Sequence, residues 1–193
     1  MDASRQQGSV KSHTDVATAE LFAAPEQIEG LKREAGELPS WDLSPRQICD
    51  LELLMNGGFA PLNGFLREAD YHSVCDTMRL ESGALWPMPV TLDVSAEFAD
   101  RARAAGRIAL RDAEGVLLAL MDVESVWRPD KTREAQAVFG TTDVAHPGVR
   151  YLFDTAGEVY LGGRVIGIQP PVHYDFHHLR ADRALCIHPA QGA

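Results

Sequence analysis

Lysine is scarce in this chain. Only Lys11, Lys32 and Lys131 occur in 193 residues, and no basic cluster forms around them. Eighteen Lys and Arg stand against 28 Asp and Glu, for a formal net charge of -10. Nucleic-acid binders usually carry a basic stripe that displaces counterions from phosphate. The acidic balance speaks against that class and reads as a solubility feature. Cysteine is equally rare. Cys49, Cys75 and Cys186 are odd in number and never spaced as C-x-x-C. A disulfide framework or zinc knuckle is therefore not expected, and the thiols read as free ones of a reducing compartment. No apolar run approaches the ~20 residues that span a bilayer. Residues 1–20 are polar throughout and lack the basic-then-apolar order of a secretory signal. The expectation is a cytoplasmic protein with no membrane partner.

What is present suffices for one folded domain with extensions. Hydrophobic residues make up 45% and charged residues 24%, so a core can form. Residues 1–24 form a loose arm on this reading, and 25–38 (PEQIEGLKREAGEL) are helix-like, with Ile28, Leu31 and Ala35 on one face. A sharper signal follows. Ser44 reads as an N-cap, Pro45 as the first helical residue, and Gln47 as the residue reaching back to complete a capping box. Ile48, Leu51, Leu54 and Met55 make the apolar stripe. Asn56-Gly57-Gly58 closes the helix, because glycine accepts a left-handed cap without a Cβ clash. A third helix is expected over 67–78, with Tyr71, Val74, Cys75 and Met78 on one side.

Beyond Trp86-Pro87 the pattern changes. Segments 90–94, 107–112, 116–126 and 160–168 are short, aliphatic or β-branched, and separated by Gly, Asp or Pro. Ala113-Glu114-Gly115 reads as a hairpin turn. Brief helices are expected over 95–104 and, capped by Asp130, over 130–139. Helices first and non-alternating strands later predict an α+β fold with a small mixed sheet or barrel, not a doubly wound one.

No catalytic centre stands out. His173 and His177 are four apart, a spacing that on a helix aligns two imidazoles for a metal. Pro170-Pro171 opposes a helix there, and third and fourth ligands are missing nearby. The stretch His173-Tyr174-Asp175-Phe176-His177-His178 therefore reads as a polar connector without metal. Gly57-Gly58 and Gly162-Gly163 match neither phosphate-cradling glycine motif. They read as a cap and a strand kink, and no cofactor is expected. Trp41, Trp86 and Trp127, each beside apolar or proline residues, read as core or interface packing.

Several of these segments, in order, resemble the N-terminal signature of the ATP sulfurylase (sulfate adenylyltransferase) family. They are LPSW at 38–41, RQICDLELL at 46–54 and NGGFAPLNGFL at 56–66, the last including Asn56, Gly57, Gly58, Phe59 and Pro61. Then come DY at 70–71, MRL at 78–80 and GALWPMPVTLDV at 83–94, with Trp86 and Pro87 inside it. FGTTDVAHPGV at 139–149, YLGGR at 160–164, VHYDF at 172–176 and LR at 179–180 follow. The resemblance covers residues 28–180.

It implies a PUA-like β pseudo-barrel with N-terminal helices over 25–170. Residues 171–193 would be an interdomain connector, at His173, Tyr174, Asp175 and Phe176, and a divergent tail. In that family the domain packs against an α/β domain that joins sulfate to the α-phosphorus of ATP. The family's catalytic motif, Q-x-R-N-P-x-H-x-x-H, lies there, and this chain contains neither Asn-Pro nor His-x-x-His. No catalytic residue carries over. The family's early His-Gly-Gly also lacks a counterpart, since Gln7-Gly8-Ser9 stands near that place. The resemblance implies an accessory domain whose partner is a catalytic domain, or a second copy meeting it through Trp86, Pro87, Tyr174 and Phe176. The alternatives are a stand-alone PUA-like RNA-binding or protein-interaction module and a small enzyme whose pocket is not legible in the sequence.

Overall fold

Residues 21–172 are described by the computed structural model. Helix α1 spans Pro25–Ala35, strand β1 Ser40–Asp42, helix α2 Pro45–Met55, strand β2 Gly64–Phe65 and helix α3 Glu68–Thr77. Strand β3 (Leu92–Val94) leads into helix α4 (Ala96–Ala105), then strands β4 (Arg107–Arg111), β5 (Leu117–Asp122) and β6 (Ser125–Trp127). Helices α5 (Lys131–Phe139) and α6 (Pro147–Asp154) precede the nine-residue strand β7 (Val159–Gly167).

β7 is the spine of the fold. Along one edge it pairs antiparallel with β5 at Val165 to Gly167 and with β6 at Tyr160 to Gly162. Along the other it pairs with β2 at Gly163 and Arg164 and with β3 at Val159 to Leu161. β4 extends the sheet antiparallel beyond β5, and β1 joins β4 in parallel. The architecture is α+β with a mixed sheet, as the order of helices and strands predicts.

The expected strand over 116–126 is two strands bent along one edge. The bend falls where Asp122 crosses Gly163: its carbonyl lies where a Cβ at 163 would sit, so only glycine lets the two backbones approach. Glu124 N–H then donates to the Gly162 carbonyl at 2.9 Å, and pairing resumes at Ser125. The glycine pair thus serves a close strand crossing.

Three other differences have local causes. The first helix ends at Ala35: Gly36 keeps helical dihedrals, but the N–H groups of Gly36 and Glu37 donate three residues back, to Arg33 and Glu34, and close the helix in a tighter turn before Pro39. Met78 is not on the buried face of α3. It is the C-cap, at φ 55°, and 57% exposed. Strands β1 and β2, of three and two residues, and the eight-residue α6 are too short to show a period.

The main core lies between the sheet and helices α2, α3 and α4, around Leu51, Leu54, Phe65, Phe98, Ile108, Leu110 and Leu161. A second apolar layer sits under α1, where Ala35 meets Ala109, Leu117, Leu120 and Ile168. A third, smaller cluster joins α5 and α6 through Ala135, Val149 and Leu152. The chain before α1 is held as well. Leu21 is buried, and Ala23 N–H donates to the Gly167 carbonyl at 2.8 Å.

Candidate functional site

Helix α2 begins as its sequence dictates. Ser44 Oγ accepts from Gln47 N–H at 3.3 Å, and Gln47 Oε1 accepts from Ser44 N–H at 3.0 Å. Pro45 occupies the first turn, where its missing N–H costs nothing. The helix ends at Asn56, with Gly57 behind it at φ 81°. Gly58 takes no positive φ, but its N–H donates to Asn56 Oδ1 at 2.9 Å. The Ala60–Pro61 peptide is cis.

This cap does more than start a helix. Gln47 is buried, and all its side-chain capacity is used. Its Oε1 also accepts from the Trp41 indole at 3.2 Å, and its Nε2 donates to the Asp93 carbonyl at 2.7 Å and to Asp93 Oδ1 at 3.0 Å. One residue earlier, Arg46 spreads its guanidinium across three elements. Nη1 donates to Asp50 at 2.5 Å, Nη2 to the Thr91 carbonyl at 3.2 Å and to Asp93, and Nε to the Tyr151 hydroxyl at 3.2 Å. Asp93 also receives the Gly157 N–H at 2.7 Å on Oδ2. Its carboxylate thereby ties α2 and β3 to the turn before β7.

A second polar centre lies beside the first. Glu134 on α5 is buried, and the hydroxyls of Tyr71 and Tyr160 donate to its Oε2 at 2.9 and 3.0 Å. Burial pushes the Glu134 carboxyl above the ordinary range, against the opposing pull of the two hydroxyls. Burial, reinforced by the Glu134 charge, likewise raises both tyrosines. Cys75, packed near the same carboxylate, is pushed up to about 11 by its burial, so it holds an inert thiol.

The two centres open into one cleft of about 550 Å³. Phe59, Trp86 and Pro87 form one wall, with the Phe59 and Trp86 rings edge to face at 5.5 Å. Phe139, Tyr151 and Leu152 line it too, with Arg46, Asp50, Asp93 and Glu134 as its charged groups. Of the residues singled out in the sequence, Gly58, Phe59, Trp86 and Pro87 line this cleft, while Ser44 and Pro45 set the helix that delivers Arg46. His173, Tyr174, Asp175 and Phe176 lie outside the described residues, as do the other connector histidines.

Sequence reasoning missed Glu134 and Asp93 as site residues. Asp93 left a trace, a lone carboxylate in the apolar run PVTLDV. Glu134 left none, because KTREAQAVF reads as an ordinary exposed helix. Trp127 is core, as expected, but its indole N–H and that of Trp86 are enclosed with no hydrogen-bond acceptor among the described residues. Among those residues no group of three His, Cys, Asp or Glu is placed to hold a metal, and no helix is long and apolar enough to cross a membrane.

Mixed sheet, helical flank and cleft define a small α+β domain of one class. A family profile described as PUA-like domain matches residues 10–170, and the chain belongs to that family. The relatives are more particular. The chain is 47% identical over 159 residues to the sulfate adenylyltransferase of Eremothecium gossypii, covering 82% of this chain and 32% of that protein. It is 51% identical over 143 residues to that of Kluyveromyces lactis, covering 74% and 28%. Among solved structures, a hexameric APS kinase from Thiobacillus denitrificans matches with a TM-score of 0.62 and 37% identity, over 86% of this chain and 28% of that one. The chain thus spans under a third of the length of the curated relatives it matches.

Proposed function

We propose that this chain is the accessory, non-catalytic domain of a cytoplasmic sulfate adenylyltransferase, formed by residues 25–170 with a connector beyond. The single observation behind this reading is the charge of the cleft. Three carboxylates line it against one guanidinium, and that guanidinium is already engaged by Asp50, Asp93, Thr91 and Tyr151. ATP and sulfate are anions, and sites for them rest on unspent cationic groups and amides aimed at the oxygens. This cleft offers the reverse. Adenylyl transfer then belongs to a partner α/β domain, which this one supports. The same charge disfavours the RNA-binding alternative.

The test is reconstitution. The pure chain is expected to show no sulfate-dependent pyrophosphate release. Mixed with the separately expressed remainder of the Kluyveromyces lactis relative, it is expected to raise that fragment's turnover. Turnover by the pure chain would contradict the reading, and so would a remainder indifferent to the chain.

A further inference from the structure

The reading above names no docking face, and the cleft supplies one. We propose that it receives a polypeptide segment presenting an arginine beside an apolar residue.

Charge complementarity carries the choice of occupant. Asp93 is saturated by Arg46, Gln47 and Gly157. Asp50 and Glu134 are not. Arg46 meets Asp50 on Oδ2 alone, and both tyrosines meet Glu134 on Oε2. Asp50 Oδ1 and Glu134 Oε1 receive no hydrogen bond from a described residue. Glu134 is only 8% exposed and lines the cleft, so a charged donor reaching its second oxygen there meets a carboxylate largely withdrawn from water. The donor that answers two separated carboxylate oxygens between aromatic walls is a guanidinium. It is planar and forked, and it stacks on rings as an ammonium does not. Arg46 already shows the mode, with its guanidinium carbon 5.6 Å from the Tyr151 ring centre.

The rim supplies the apolar half. Met88 is 54% exposed and Leu85 66%, on either side of Trp86 and Pro87. Other occupants fit less well. No compact metal site is formed among the described residues. Phosphate and sulfate meet carboxylates. A second copy brings another net charge of -10 to the same face.

The experiment titrates the whole chain with acetyl-Leu-Arg-Leu-amide and with its neutral isostere, acetyl-Leu-citrulline-Leu-amide, following indole NMR signals. The arginine peptide is expected to saturate, shift the Trp86 signal, and bind at least about tenfold tighter than the citrulline one, equal to ~1.4 kcal/mol. Added salt should erode that preference. Asp50→Asn and Glu134→Gln should each reduce it several-fold and leave citrulline-peptide binding as it was. Asp50→Asn, on the less buried of the two carboxylates, keeps the test open should Glu134→Gln fold poorly. Equal affinity for the two peptides would overturn the proposal. So would an unchanged preference in both variants, displacement of the peptide by sulfate or oligouridylate, or a concentration-dependent dimer that buries Trp86 in place of peptide.

Discussion

The layer under α1 and the seam around the cleft solve the same packing problem in opposite ways. Under α1, the buried contact is apolar: Ala35, Leu117, Leu120 and Ile168 close together, with the Glu34–Arg107 ion pair at the solvent edge. Around the cleft, α2, α3, α5 and α6 are joined through Arg46, Asp93, Tyr71, Glu134 and Tyr160. Dispersion and burial are non-directional and tolerate volume-conserving change. A buried network demands each partner in place, and its members cannot be removed singly without stranding the others. The first layer supplies stability. The second fixes where the cleft's walls and charges stand.

Leu120→Ala should show the larger effect, because a fully buried leucine leaves a cavity in the apolar layer. A loss of about 2–5 kcal/mol in urea unfolding is expected. A loss under 1 kcal/mol would mean that this layer is loosely packed. Arg46→Ala should cost about 2 kcal/mol, since it removes the cation shared by Asp50 and Asp93 and leaves Asp93, 8% exposed on its side chain, only the neutral donors of Gln47 and Gly157. The two regions then differ in coupling. Arg46→Ala and Asp93→Asn should be far from additive, whereas Arg46→Ala and Leu120→Ala should add within about 0.5 kcal/mol. Additivity in both cycles would erase the distinction.

Legibility divides along the same line. The α2 cap was readable because Ser44, Pro45 and Gln47 act within four residues of one another. The glycines at 57 and 58 marked the helix end for the same local reason. The apolar stripe of α2 and the strands were readable as periods. The cleft was not, because apart from Arg46 with Asp50 its bonds join residues 26 to 105 positions apart, such as Tyr160 with Glu134 and Arg46 with Tyr151. Nothing near Glu134 in the chain announces two tyrosine hydroxyls. Trp86 and Pro87 were visible as a motif, but not as the wall of an acidic cleft. Met78 was misplaced because its apolar character continues the face of α3, while its backbone already turns into the left-handed cap.

Ser44→Ala sharpens the link between the local and the distant. It should cost about 1 kcal/mol through the lost cap. It should also loosen Gln47, seen as faster exchange of the Trp41 indole proton that bonds to it. An unchanged exchange rate would separate the cap from the buried joint. The smallest expected effect is one of pH. The folded Glu134 carboxyl titrates above its unfolded value, because burial disfavours its charge. Its contribution is therefore fully present below the ordinary carboxylate range and is lost as pH rises through the raised value. The surrounding titratable groups are Tyr71, Tyr160, Cys75, Lys131 and Arg46. Glu134→Gln keeps an acceptor for both hydroxyls and removes the charge. Its melting temperature should gain on that of the parent as pH rises above the ordinary carboxylate range. A difference independent of pH would place the carboxyl in an ordinary environment.

The most direct test of a supporting role is whether the cleft refuses the anions of the reaction. Sulfate and ATP, titrated separately into the whole chain while the indole signals of Trp86 and Trp127 are followed, should leave both unmoved at millimolar concentration. Saturable movement of the Trp86 signal by either anion, abolished by Arg46→Ala, would show that Arg46 is free to bind substrate and would contradict the assignment of this domain as an accessory one.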